Sequence, residues 1–197
     1  MYNYRQATPK QREAMLAARQ KNDWPWHAPP HFGVDQNLYL LTAACYDHQP
    51  ILSTESRRDE CCVALQNLLA ETGGELRAWV VLPNHYHLVA HVVLDAFSKQ
   101  IGRWHNGKAT QWNREDGTPG RKVWHRFADR RIRGDRHYFA SLNYVHTNPT
   151  HHGLTADAKA WRWSSLAHYM QEVGRETLQK WWHEYPIDRY GEGWDPR

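Results

Sequence analysis

The sequence has few cysteines, few phenylalanines and no long apolar segment. Its 3 cysteines include no C-x-x-C pair, and Cys61 and Cys62 are adjacent, which argues against a zinc finger or a disulfide-stabilised secreted scaffold. No apolar run approaches the roughly 20 residues of a membrane span, and the N-terminus lacks the apolar core of a signal peptide. We therefore expect a cytoplasmic protein with no membrane association.

Tryptophan and tyrosine are abundant instead, with 11 Trp and 10 Tyr against 4 Phe. A length of 197 residues fits one domain with extensions, and 41% hydrophobic residues suffice for a core. Between Lys99 and Arg136, eleven Lys and Arg outnumber four acids, and tryptophans are interleaved with them. Phosphate contacts and stacking rings are what a surface for single-stranded nucleic acid needs. A solvated basic face is the alternative.

Hydrophobic periodicity predicts strands and helices in the order strand, helix, strand, strand, helix, strand, helix. The predicted segments are 36–45, 56–73, 76–82, 85–92, 95–112, 122–128 and 135–147. The first six give the βαββαβ pattern of a ferredoxin-like α+β sheet, in which two helices cover one face. The second face is then available for a site. Before this unit we expect a helix at 9–20 and an aromatic arm at 24–30.

Two histidines stand out in the segment Pro-Asn-His-Tyr-His-Leu-Val at 83–89. Side chains alternate along a strand, so His85 and His87 share one face and Tyr86 takes the other. Their Cα atoms are then roughly 6.6 Å apart, which allows both imidazoles to bind one metal ion. A pair of histidines on a solvated strand face is the alternative, because the chain contains 14 His.

The last predicted helix carries a tyrosine and an amide one turn apart. Tyr144 and Asn148 fall on its polar face, whereas His146 is rotated by about 200° from Tyr144. An ordinary amphipathic helix with a half-buried tyrosine is the alternative. If the polar face lies against the strand of His85 and His87, all four side chains meet.

Three segments resemble those of the REP-associated tyrosine transposases. They are the His-hydrophobic-His motif at 83–89, Asn-Tyr-Val-His-Thr-Asn-Pro at 143–149 followed by Gly153, and Trp-Arg-Trp-Ser-Ser at 161–165. The segment at 124–132 also fits. The predicted organisation is an N-terminal extension at 1–35, a transposase domain of the His-hydrophobic-His type at 36–170 and a C-terminal tail at 171–197.

The resemblance implies a ferredoxin-like sheet with a C-terminal catalytic helix, and cleavage of single-stranded DNA near an imperfect palindromic hairpin of the REP type. It also implies Mg²⁺ or Mn²⁺ and a 5′-phosphotyrosine intermediate. His85 and His87 match the metal-binding pair, Asn148 matches the position that completes the metal site, and Tyr144 matches the nucleophile. Family members suggest a monomer, with a dimer that exchanges the catalytic helix as the alternative.

The predicted DNA contacts lie in the basic stretch. They are Lys99, Arg103, Arg121, Lys122, Trp124, Arg126, Arg130, Arg131 and Arg133. One departure from the family pattern is Thr-His-His at 150–152, in place of an apolar–basic pair before Gly153. We expect this change to alter a DNA contact and to leave the catalytic set intact.

Two other functions compete with a DNA-cleaving transposase. A protein of the same fold could bind hairpins without cutting them, although the presence of all four site residues argues against this. An unrelated metal hydrolase could use His85 and His87, but no carboxylate-rich motif accompanies the pair. Such a hydrolase would also leave the basic, Trp-rich stretch without a role.

Overall fold

The computed structural model describes Thr8, Lys10 and residues 36–125, 127–188 and 190. The predicted helix at 9–20 (apart from Lys10), the aromatic arm at 24–30 and the predicted DNA contact Arg126 lie outside the described residues. The predicted extents of the extension, the domain and the tail stay predictions.

A four-stranded antiparallel sheet forms the centre of the described fold. Its strands are β1 (Gln36–Ala44), β2 (Glu75–Val81), β3 (His85–Val93) and β4 (Ala128–Arg131), in the order β2-β3-β1-β4. The predicted α+β class is confirmed, and this strand order is the one that a βαββαβ chain adopts in a ferredoxin-like sheet. β2 and β3 form the expected hairpin, closed by a hydrogen bond from Leu82 N–H to His85 O of 2.8 Å.

Two helices connect the strands and cover one face of the sheet. α1 (Glu55–Glu71) begins after Thr54, whose hydroxyl accepts a hydrogen bond from Arg57 N–H at 3.3 Å, and α2 (Leu94–Glu115) follows β3 directly. Their apolar sides share a core with alternate residues of the strands. The largest fully buried members of that core include Trp112, Tyr39, Tyr86, Phe97 and Leu88.

The opposite face of the sheet carries α3 (Asp135–His151). Leu40, Val80 and Val89 of the sheet pack there against Leu142, Tyr144 and Val145 of the helix. The predicted end near residue 147 is wrong, because Pro149 lies within the last turn and the helix continues to His151. A proline in a last turn removes only one intrahelical hydrogen bond, and Gly153, with φ of 66°, then reverses the chain.

The fourth strand was predicted at 122–128 and is found at Ala128–Arg131 instead. The apolar residues Val123 and Trp124 belong to an irregular segment that passes the end of β1 and makes single backbone contacts there. His125 N–H donates to Ala44 O and Tyr46 N–H donates to Val123 O, both at 2.8 Å. The true strand is short and polar because it lies at the edge of the sheet.

The segment at 161–165 runs along the free edge of β2. Val81 N–H donates to Trp163 O at 2.8 Å, and Ser165 N–H donates to Trp79 O at 2.9 Å. Two short helices follow, α4 (Leu166–Glu172) and α5 (Arg175–Glu184), and α5 packs against α3. Within the described residues, no helix is both long enough and apolar enough to cross a membrane.

Candidate active site

His85 and His87 lie side by side on the face of β3 that meets α3. Both are buried, with 1% and 0% of their surface exposed, and their ring centroids are 5.0 Å apart. Tyr86 points to the other face, where its hydroxyl lies 3.0 Å from Nε2 of His105. The predicted alternation of these three side chains is therefore confirmed.

A neighbouring side chain fixes each of the two rings at Nδ1. Asn84 Oδ1 lies 2.7 Å from Nδ1 of His85, and Thr42 Oγ1 lies 2.8 Å from Nδ1 of His87. Thr42 is the residue of β1 directly opposite His87 in the sheet. Partners at Nδ1 set the ring orientation and leave Nε2 as the nitrogen through which each imidazole can bind a ligand.

Tyr144 and Asn148 reach the same place from one turn of α3. The Tyr144 ring packs edge-on against His87 with a centroid distance of 5.0 Å, and Asn148 Oδ1 lies 3.2 Å from Nε2 of His85. The exposed fractions of Tyr144 and Asn148 are 4% and 0%. The structure thus brings the four predicted site residues together within one chain.

His146 lies on the same helix but faces away from this cluster, as its predicted rotation requires. Its Nε2 is 2.9 Å from Ser165 Oγ, and its ring packs against Tyr169. Burial lowers the pKa of His146 to about 3, so the ring is neutral. Ser165 Oγ also accepts from Trp79 N–H at 3.1 Å, which connects α3 to the segment along β2.

The donor set contains both nitrogen and oxygen and can bind a divalent cation. Among the described residues, no group of three or more His, Cys, Asp or Glu side chains is placed to hold a metal, and the predicted set instead contains two imidazoles and one amide oxygen. Ligands at adjacent corners of an octahedron with bonds of about 2.1 Å are about 3.0 Å apart. The 3.2 Å between His85 Nε2 and Asn148 Oδ1 fits that edge.

Two residues beside the cluster were missed in the sequence. His152 lies one turn beyond Asn148, and its ring centroid is 4.9 Å from that of His85. The spacing of 144, 148 and 152 is the signal that identifies it. Tyr190 packs against Tyr144 with centroids 5.7 Å apart, and its hydroxyl hydrogen-bonds to Ser141. No sequence pattern predicts this second contact, because Tyr190 lies far along the chain in the segment predicted as a tail.

A cavity of about 870 Å³ opens beside Tyr190 at the start of α3. Basic and acidic side chains both line it, including Arg133, Arg136 and Asp188. His137 lies in its wall, and its pKa is lowered first by burial and then by the nearby charges of Arg130 and Arg133. The positive charges of Arg133 and Arg136 are balanced in this lining by Asp135 and Asp188.

The predicted DNA contacts are distributed over different surfaces. Lys99 and Arg103 are exposed on α2, which lies on the face of the sheet opposite the cluster. Arg121 forms an ion pair with Asp116 at 2.7 Å, and Lys122 lies over the Tyr46 ring at 4.2 Å. These four positively charged residues stay predicted contacts only.

Trp124 requires a correction. The ring is 9% exposed, stacks on His105 with a centroid distance of 4.1 Å and also contacts Trp112 and Tyr86. A side chain enclosed in this way has no open face on which a base can stack. Trp124 is therefore a core residue, and the interleaving of tryptophan with basic residues reflects the periodicity of a buried cluster.

The comparisons with known proteins point to one family. No protein-family model matches the chain. The chain is 31% identical over 121 residues to a protein of Escherichia coli (strain K12) named REP-associated tyrosine transposase. The predicted resemblance to this family is confirmed. The match covers 60% of this chain and 64% of that protein, so the chain spans less than two thirds of its relative.

A solved structure shows the same fold. It is that of a REP-associated tyrosine transposase bound to a REP hairpin, and it superposes with a TM-score of 0.56 at 18% sequence identity. The superposition covers 75% of this chain and 87% of that one. At this level of sequence identity the similarity concerns the fold, and it extends over three quarters of this chain.

Proposed function

We propose that this protein is a metal-dependent endonuclease and strand transferase for single-stranded DNA near REP-type hairpins. The observation that carries the proposal is the packing of the Tyr144 ring against His87, with Asn148 at His85, in one chain. Similarity to a REP-associated tyrosine transposase supports the choice of substrate. We further propose that the protein acts as a monomer in the cytoplasm.

The proposed reaction is a transesterification at one phosphodiester. The phenolic oxygen of Tyr144 forms a bond to phosphorus, the bond between phosphorus and O3′ breaks, and the proton lost by the phenol is balanced by one taken up at O3′. The products are a 5′-phosphotyrosine and a fragment with a free 3′-OH. Attack by a second 3′-OH on the phosphotyrosine reverses these bond changes and joins strands.

The residues around Tyr144 have separate tasks in this scheme. His85, His87 and Asn148 would hold Mg²⁺ or Mn²⁺, which when bound supplies positive charge to the scissile phosphate. Asn84 and Thr42 fix the orientation of the two imidazoles through Nδ1. The imidazole donors favour Mn²⁺ over Mg²⁺ on ligand grounds.

The test is formation of a covalent adduct with a hairpin-bearing oligonucleotide. Purified protein and Mn²⁺ should give a denaturation-resistant protein–DNA complex, and Tyr144→Phe should abolish the adduct while binding persists. Tyr86→Phe is the matched control, because Tyr86 lies beside the histidines in sequence but faces the opposite core. An adduct that survives Tyr144→Phe contradicts the assignment. Hairpin binding without any adduct would instead indicate a non-catalytic hairpin-binding protein.

A further inference from the structure

β4 presents two consecutive arginines to opposite faces of the sheet. Arg130 lies opposite Leu40 of β1, and Arg131 lies opposite Tyr39. Leu40 belongs to the apolar cluster that contains Tyr144, whereas Tyr39 belongs to the cluster under α1 and α2. Strand register therefore directs Arg130, and not Arg131, to the face on which α3 and the candidate site lie.

The guanidinium of Arg130 lies near the candidate nucleophile. Partial burial lowers its pKa, and the hydroxyl groups of Tyr190 and Tyr144 are close enough to oppose that shift electrostatically. Arginine nevertheless remains a cation at any working pH. Arg131 instead donates a hydrogen bond to Asn37 Oδ1 at the other side of the strand.

The Arg130 side chain is exposed to solvent on the edge strand β4. The next residue on the same face of β4 is Ala128, which lies opposite Thr42, and Thr42 in turn lies opposite His87. Ala128 is exposed and contributes only a methyl group, so no large side chain of β4 separates Arg130 from the row that contains His87.

Apart from the metal ion that would be bound, the proposed reaction has no fixed positive charge among the four site residues. The imidazoles in their neutral form, the Asn148 amide and the Tyr144 phenol carry no charge, yet phosphoryl transfer concentrates negative charge on the non-bridging oxygens. A planar guanidinium can donate two parallel hydrogen bonds to such oxygens. Interactions of this type, aimed at charge that develops in the transition state, contribute about 10²–10³ to a rate.

We propose that Arg130 is a catalytic residue that binds a non-bridging oxygen of the scissile phosphate while Tyr144 attacks it. This inference rests on the proposed function. The phosphate contact is assigned to Arg130 and not to its neighbour Arg131, which faces the other side of the sheet.

The first test measures the contact itself, without metal. In EDTA, affinity is compared for a hairpin oligonucleotide with a natural scissile phosphate and for one with an uncharged methylphosphonate there. The wild-type protein should lose about tenfold in affinity for the methylphosphonate, the loss expected for one charge-assisted contact. Arg130→Gln should bind both oligonucleotides within about twofold of each other. Arg131→Gln, whatever its total affinity, should keep the wild-type ratio.

The second test measures the rate at which the Tyr144–DNA adduct forms at saturating DNA with Mn²⁺. Arg130→Gln should form the Tyr144 adduct about 100-fold more slowly than the wild-type protein. Arg130→Lys should recover part of the rate, because lysine restores the charge but cannot donate two parallel hydrogen bonds from a planar group. Urea denaturation of each variant checks that it is folded under the conditions of the rate measurement. A wild-type rate for Arg130→Gln, or a wild-type protein that does not distinguish the methylphosphonate, would overturn the inference.

The two proposals fail in different ways. Absence of an adduct from the wild-type protein, or an adduct that survives Tyr144→Phe, counts against the proposed function. If the Tyr144-dependent adduct forms normally and Arg130→Gln forms it at the wild-type rate, the result counts against the role of Arg130 alone.

Discussion

The Oδ1 atom of Asn148 lies 3.2 Å from Nε2 of His85, although the two residues are 63 positions apart in the chain. Asn84 Oδ1 lies 2.7 Å from the other ring nitrogen, so the neutral tautomer of His85 that donates to Asn84 has its proton on Nδ1. Its Nε2 lone pair then faces the lone pairs of the amide oxygen. Two acceptors this close are stabilised by a cation that both can bind, which gives the predicted metal site a physical basis in these two residues.

Asn148→Ala should therefore weaken Mn²⁺ binding by at least about tenfold, because it removes one of three proposed ligands. Titration of the metal-free protein, followed by the electron paramagnetic resonance signal of free Mn²⁺, measures the affinity. Asn143→Ala is the control, since Asn143 is an amide on the same helix that donates to Trp181 O and Tyr185 O at 2.9 Å. Equal Mn²⁺ affinity in Asn148→Ala and in Asn143→Ala would contradict the proposed donor set.

Thr42→Val should also weaken Mn²⁺ binding, although Thr42 is not a proposed ligand. The substitution keeps the shape of the side chain and removes only the hydroxyl that lies 2.8 Å from His87 Nδ1. Loss of such an orienting contact costs about 10–100-fold in metal affinity in other metal sites. The same titration applies, with Thr110→Val as the control because its hydroxyl bonds to a backbone oxygen on exposed α2. An unchanged affinity would show that the His87 ring needs no support from β1.

The elements that carry the site were predictable because they obey a simple period. Alternation along β3 separates His85 and His87 from Tyr86, and one helical turn separates Tyr144 from Asn148. These relations depend only on local geometry. They leave undetermined which face of the sheet the helix covers, but the burial of both histidines requires a neighbour on their side.

The features that escaped prediction depend on contacts between distant parts of the chain. β4 is a four-residue edge strand with polar side chains, so its apolar neighbours Val123 and Trp124 gave a stronger but misleading strand signal. Tyr190 reaches Tyr144 only because α5 folds back on α3. The covering of the β2 edge by residues 161–165 likewise follows from tertiary packing.

Trp124→Ala should destabilise the fold by about 3–5 kcal/mol, the usual cost of removing a buried aromatic side chain. The expectation follows from its enclosure by His105, Trp112 and Tyr86. Urea denaturation monitored by circular dichroism measures the free energy of unfolding. Lys99→Gln, in the same basic stretch but exposed, should change that free energy by no more than about 0.5 kcal/mol. A Trp124→Ala variant that is stable but binds DNA more weakly would instead support the original prediction that Trp124 stacks on a base.

Stability should fall on acidification because of His105. This ring is stacked on Trp124, its Nε2 lies 3.0 Å from the Tyr86 hydroxyl, and burial lowers its pKa to about 3. In the unfolded chain the pKa returns to about 6.5, so below that pH the unfolded state binds a proton that the folded state does not. The stabilisation is complete above pH 6.5 and is lost as the pH falls towards 3.

Between pH 7.5 and pH 5 this single group should remove about 2 kcal/mol from the free energy of unfolding. His105→Gln lowers stability at neutral pH but should lose about 2 kcal/mol less than the wild-type protein over that interval. Urea titrations at pH 7.5 and pH 5.0 in EDTA give the difference directly. His168→Gln removes an exposed histidine paired with Glu172 and serves as the control. Parallel acid losses in wild type and His105→Gln would mean that His105 takes up its proton while the protein remains folded.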